Sequence, residues 1–273
     1  MRLDTHCHLD ASEFDLDREA VIARAQQANI QAIVIPAVNA ANFERVRQLA
    51  HSFPQGYYGL GIHPMCVQYA SEQDLTRLHT LLSLYRDDPK LVAVGEIGLD
   101  FFVPEITQGA LRLKQEYFYE SQLAIACEFD LPVLLHVRRS QDIVLKYLRR
   151  SHVRGGIAHA FNGSMQQANQ YIERGFALGM GGAMTYARAL QIRRLATELP
   201  LTALVLETDA PDIAPAWLRD NRRNEPHQIV EIAQTLAALR ETTEPEILRD
   251  TAQNAMRVLP GLARLAATTE LKD

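Results

Sequence analysis

Short apolar runs rich in Val, Ile and Leu alternate with longer amphipathic segments from the first residues to about Leu259. That alternation is the pattern of repeated βα units around a parallel sheet whose strands are covered on both faces. About eight units can be read, with strands expected at 2–6, 31–36, 57–62, 91–96, 132–136, 155–159, 176–181 and 204–208. Helical patterns fill the gaps. Ile229, Ile232, Ala233 and Leu236 form one apolar stripe behind Asn224-Glu225-Pro226, which reads as a cap and first turn. Eight units favour an α/β fold closed as a TIM (β/α)8 barrel of the metallo-dependent hydrolase type; an open doubly wound sheet shares the periodicity and is the structural alternative. No Ser/Gly linker, low-complexity run or charge block divides the chain, so one domain over 1–260 is expected, with a surface tail over 261–273.

Composition narrows the function classes. With 47% hydrophobic and 22% charged residues the chain can bury a sizeable core, which argues against disorder. The net charge of −5 advertises no pervasive basic field for nucleic acid, although a local basic patch or a bound metal can still attract phosphate. Cys7, Cys66 and Cys127 are odd in number and widely spaced, which fits a reducing cytoplasm and neither a disulfide framework nor a thiolate zinc site. Met1-Arg2-Leu3-Asp4-Thr5-His6 is too polar for a secretory h-region, and no apolar stretch reaches spanning length, so a cytoplasmic protein with no membrane and no obligate protein partner is expected.

The chemistry is concentrated where strands end. His6 and His8 close the first strand two residues apart, so their imidazoles point to one side and can converge on one ion. A pair of hydrogen-bonded structural histidines is the alternative for an isolated His-x-His. Glu96, His136, His159 and Asp209 each close or follow a further apolar strand. In a parallel barrel all these termini surround one opening, where barrel enzymes place their chemistry. Six such ligands oversupply a single ion but suit two ions sharing a carboxylate, and nitrogen and oxygen donors favour zinc, manganese or related divalent ions.

Asp4-Thr5-His6-Cys7-His8, Gly61-Ile62-His63-Pro64, Gly95-Glu96-Ile97-Gly98-Leu99-Asp100, Leu131-Pro132-Val133-Leu134-Leu135-His136, His159-Ala160-Phe161 and Leu206-Glu207-Thr208-Asp209-Ala210-Pro211 resemble the ordered motifs of TatD-type metal-dependent hydrolases. The resemblance spans nearly the whole chain. The double arginine of His136-Val137-Arg138-Arg139-Ser140 is most similar to the YjjV-type branch. The resemblance implies a metal-dependent TIM-barrel hydrolase with deoxyribonuclease relatives and two divalent ions, zinc, magnesium or manganese, per subunit. It implies His6 and His8 as first-strand ligands, Glu96 as the bridging carboxylate, His136 and His159 as ligands of the second ion, and Asp209 as last ligand and proton acceptor. Val137, Arg139, Ala160 and Asn162 depart from the residues usual in relatives, all outside the ligand set.

Secondary candidates surround this set. His63 closes the third strand before Pro64 and is equally readable as a substrate contact and as a structural hydrogen-bond partner. Glu207 shares strand parity with Asp209 and can steady a ligand histidine or the substrate. Arg138, Arg222 and Arg223 carry planar forks suited to phosphate oxygens; Arg222 reads better as a solvated charge, and Arg223-Asn224-Glu225-Pro226 resembles a family loop. Gly179-Met180-Gly181-Gly182 reads as close backbone packing more than as a phosphate cradle. Cys7 turns away from its histidine neighbours as a buried thiol. The expected function is metal-dependent hydrolysis of a phosphodiester in DNA or a nucleotide-like substrate, exonuclease-like, with Asp209 as general base. Hydrolysis of a small phosphate ester, amide or lactone is the second reading and a non-catalytic metal-binding barrel the third.

Overall fold

The computed structural model describes residues 1–218 and 223–263. Eight parallel strands follow one another around a single sheet: β1 (Leu3–Asp4), β2 (Ala32–Pro36), β3 (Gly56–Leu60), β4 (Leu91–Asp100), β5 (Val133–Arg138), β6 (Gly156–Ala158), β7 (Phe176–Met180) and β8 (Leu204–Leu206). Closure between β8 and β1 comes from Thr5 N–H donating to Leu206 O at 3.1 Å and from a parallel bridge between Cys7 and Ala210. The open-sheet alternative is therefore excluded, and the fold is the expected α/β barrel.

Helices α1 (Arg18–Gln27), α2 (Phe43–His51), α3 (Glu72–Leu84), α4 (Gly109–Glu128), α5 (Gln141–Leu148), α6 (Met165–Ile172), α7 (Leu190–Glu198), α8 (Ile229–Leu239) and α9 (Glu244–Val258) surround it. The stripe Ile229, Ile232, Ala233 and Leu236 of α8 is fully buried. Its start differs from the sequence expectation: Pro226–Gln228 form a 3-10 turn, and Asn224 does not cap the helix. The Asn224 amide instead donates to the carbonyls of Thr208 and Asp212 at 2.8 and 3.0 Å, giving backbone acceptors of the loop after β8 a partner.

The core has two parts among the described residues. One lies between barrel and helices and holds the buried, free Cys7. The other joins barrel residues such as Val34, Leu134 and Val205 to Ala252, Ala255 and Val258 of α9. Asn254 fixes α9 there by donating to Leu201 O and Leu204 O, both at 2.8 Å, so this helix covers the end of the barrel where strands begin. Residues 260–263 extend that cover: Leu262 is fully buried, worth about 1.5–3 kcal/mol relative to exposure. The tail expected from 261 is thus packed at its start, and 264–273 lie outside the described residues.

Two strand ends differ from expectation in ways that shape the site. β1 stops at Asp4 because the buried Asp4 carboxylate takes the amides of His6 and Thr208 at 3.3 and 2.9 Å, replacing ladder bonds. β4 runs on to Asp100 and contains an extra residue: Val94 pairs with Val133 but Ile97 with Leu135. Such a bulge re-aims side chains, and here it brackets Glu96. Gly98 follows, at φ +143°, where a Cβ would sit 2.0 Å from His136 O. Only glycine lets β4 and β5 approach this closely beside the two candidate ligands.

Candidate metal centre

Glu96, 1% exposed, sits at the centre of a ring of imidazoles. Its Oε2 lies 3.2 Å from His6 Nε2 and 3.3 Å from His8 Nε2. Its Oε1 lies 2.8 Å from His159 Nε2, 3.0 Å from His136 Nδ1 and 3.3 Å from His63 Nε2. One carboxylate therefore divides its two oxygens between two groups of histidines that come from different strands. Asp209 Oδ1 stands 3.6 Å from both His6 and His8 Nε2. Among the described residues, three overlapping sets have donor atoms close enough for one ion each: His6, His8 and Asp209; His6, Glu96 and His159; and His63, Glu96 and His136.

The local fold explains the convergence. His159 and Asp209 follow β6 and β8, and Asp209 is oriented by its own N–H donating to His6 O at 2.8 Å. His6 and His159 stack with ring centroids 4.0 Å apart, so residues 153 positions apart share one wall. His63 is pinned by its backbone N–H donating to Val38 O at 2.9 Å. This turn carries its ring into the ligand cluster, whereas the sequence reading placed it as a substrate contact or structural partner.

The electrostatics are those of an unneutralised donor set. Burial opposes ionisation of Glu96, yet the His63, His159 and His6 rings hold its carboxyl well below the usual range. Burial pushes His6 down to about 3, whereas for His8 the effect of burial is overcome by Glu96, which lifts it to about 9. His6 and His8 Nε2 are 3.3 Å apart, as are His136 Nδ1 and His159 Nε2. Two such nitrogens can share only one proton, so at least one nitrogen of each pair offers a lone pair to the cluster. Divalent cations that accept nitrogen and oxygen donors satisfy all of these lone pairs at once, and the residues fit them on that ground.

Carboxylates behind the ring hold the histidines. Asp100 Oδ2 accepts from His136 Nε2 at 3.0 Å, leaving Nδ1 to face Glu96. Burial works against the Asp100 charge, but the His136 hydrogen bond brings its carboxyl down to about 2. Glu207 accepts from Ala160 N–H and lies 3.8 Å from His159 Nδ1, an ion-pair distance. Burial raises Glu207 to about 8 and Asp4 to about 7. Space for the Glu207 carboxylate exists because Gly179 has no side chain: a Cβ there would meet Oε2 at 2.0 Å. Asp100 and Asp4 carry no role in the sequence reading. Asp4 lies inside the expected first strand and Asp100 beyond the expected fourth, and only the observed strand ends bring both to the site.

Of the arginines, Arg138 is half-exposed at the rim, with Nη1 3.9 Å from Asp100 Oδ2. Arg223 does not reach the cluster with its fork. Its terminal nitrogens bind Asp17 at 2.7 and 2.8 Å and Glu225 at 2.8 Å, fastening the loop before α8 to the segment before α1. Arg222 lies outside the described residues. No helix among the described residues is long and apolar enough to cross a membrane.

Residues 3–260 match the sequence model of a family described as TatD related DNase. The chain is 40% identical over 248 residues to the uncharacterised metal-dependent hydrolase YjjV of Escherichia coli K12, covering 90% of this chain and 92% of that protein. It is 32% identical over 266 residues to the 3′-5′ ssDNA/RNA exonuclease TatD of Erwinia tasmaniensis, covering 93% and 98%. The crystal structure of the Escherichia coli K12 YjjV protein superposes with a TM-score of 0.88 at 38% identity over 95% of this chain and 98% of that one.

Proposed function

Since the chain belongs to the TatD-related DNase family of metal-dependent hydrolases, we propose that it hydrolyses phosphodiester bonds of DNA from an end, using a dinuclear centre at the barrel mouth. The supporting observation is the division of Glu96 between His6 and His8 on one oxygen and His136 and His159 on the other. A carboxylate so placed serves two ions, whereas a single ion would leave half of the donors without a partner.

In this reading His6, His8 and Asp209 would hold one ion and His136 and His159 the other, with Glu96 available to both. Two divalent ions, zinc, magnesium or manganese, would supply there a lowered pKa for the attacking water and charge neutralisation on the phosphoryl oxygens. Asp209, whose Oδ1 stands 3.6 Å from both His6 and His8 Nε2, would accept the proton of that water. Asp100 keeps His136 aimed inward, and Glu207 sets a carboxylate 3.8 Å from the outer nitrogen of His159. The preference for an end rests on the net charge of −5, which disfavours gripping a long duplex, and on the name of the Erwinia relative.

End-labelled single-stranded oligonucleotides test this. The expected product is a ladder shortened one nucleotide at a time, abolished by a chelator and restored by a divalent ion, with circular single-stranded DNA spared. Rapid cutting of the circle overturns the exonuclease assignment. Inertness towards every DNA form with turnover of a small ester, amide or lactone transfers the chain to small-molecule hydrolysis.

A further inference from the structure

The rim of the mouth beside His136 presents two cations on one aromatic ring. The guanidinium of Arg138 lies 3.7 Å from the centroid of Phe102 and that of Arg139 lies 4.6 Å from it. Consecutive residues of an extended strand point to opposite faces. Here β5 ends at Arg138 and Arg139 adopts φ +54°, in the left-handed region, so two successive side chains arrive at the same ring. Buried Ser140 fixes this turn by donating Oγ–H to Leu99 O at 2.6 Å.

The pair is poorly neutralised. Arg138 has Asp100 at 3.9 Å, but that carboxylate already accepts from His136 Nε2 at 3.0 Å and from the backbone N–H groups of Phe102 and Val103 at 2.7 and 3.1 Å. Arg139, exposed, makes no ion pair among the described residues. Two guanidinium groups sharing a ring repel each other, and their attraction to the ring face offsets only part of that. An anion beside the pair relieves the repulsion, and the planar fork of each guanidinium matches phosphate oxygens.

Asp100 also fixes where this subsite stands. One oxygen holds the ring of His136 and the other holds the backbone of Phe102, so the arginines lie one carboxylate away from the ligand cluster. Resting on the nuclease reading above, we propose that Arg138 and Arg139 bind a second phosphate of the substrate, adjacent to the phosphodiester that is cut. The substrate is then a nucleic-acid end with at least two phosphates, and Arg139 selects for it.

The test uses metal-reconstituted protein and three dinucleotides: thymidylyl-thymidine with its single phosphate, and the same molecule with a 5′- or a 3′-phosphate. In the wild type one phosphorylated form is expected to exceed the bare dinucleotide about tenfold in kcat/KM, with the gain in KM, as a charge-assisted contact implies. Which form gains tells which side of the cut linkage the arginines hold. The ratio within each protein controls for folding and metal loading. It should fall several-fold in R139A, approach one in the R138A/R139A double variant, and be retained better by R139K than by R139E. A wild-type ratio near one, or a ratio unchanged in the double variant or in R139E, overturns the subsite while leaving phosphodiester hydrolysis standing. Inertness of all three dinucleotides with turnover of a small ester overturns the nuclease reading and the subsite together.

Discussion

Asp100 accepts a hydrogen bond from Nε2 of His136 at 3.0 Å, and the opposite ring nitrogen faces Glu96 at 3.0 Å. The carboxylate thereby fixes both the tautomer and the direction of a candidate ligand. Replacing such a partner commonly costs 10–100-fold in metal affinity. Asp100→Asn keeps an oxygen for the Phe102 amide but loses the charge. We expect metal affinity, measured by chelator competition, to fall by about 10-fold or more, with thermal stability of the metal-free protein little changed. Unaltered affinity would assign the pair to loop structure alone.

Glu96→Gln preserves volume and removes the charge shared by both histidine groups. Metal content by elemental analysis should fall below two ions per chain, and activity by at least about 100-fold, more than the stability of the fold declines. Full metal content with wild-type turnover at limiting metal would refute the bridging role.

Chelation should lower the melting temperature. Ions that bind only the folded chain stabilise it by about 2.7 kcal/mol when present at a hundredfold excess over Kd. For a chain of this size that corresponds to roughly 5–10 °C, recovered on adding zinc or manganese. Equal melting curves with and without chelator would mean that the folded state holds no ion.

A separate carboxylate controls stability in acid. Asp88, with 6% of its side chain exposed, accepts from Arg47, His51, Tyr58 and the Lys90 amide at 3.2, 2.8, 3.0 and 3.0 Å. Burial works against its charge, yet these donors, the Lys90 amide first, keep its pKa below the ordinary 3.8. A folded value below the unfolded one gives stabilisation that is full above about pH 4 and lost as pH falls through the folded value. Asp88→Ala should cost roughly 2–3 kcal/mol at pH 7 by urea unfolding, with the difference from wild type shrinking below about pH 4. A difference constant with pH would show that packing, not charge, is what Asp88 contributes.

The barrel and the polar residues that gather at its mouth were legible along the chain because both obey local rules: apolar runs of strand length, each ended by a polar residue, alternate with helical stripes. Positions such as His6, His136 and Asp209 announce themselves as strand-end polarity, which needs no knowledge of neighbours. The division of Glu96 between two histidine groups was not legible, since it depends on a one-residue bulge in β4 and on a glycine that lets β5 approach. The same holds for Asp100 behind His136, for His63 turned into the cluster, and for Arg223 held by Asp17 and Glu225. Linear order specifies which groups reach the mouth of the barrel. Which nitrogen meets which oxygen there is set by register, backbone turns and burial, and these arise when strands distant in sequence close around one core.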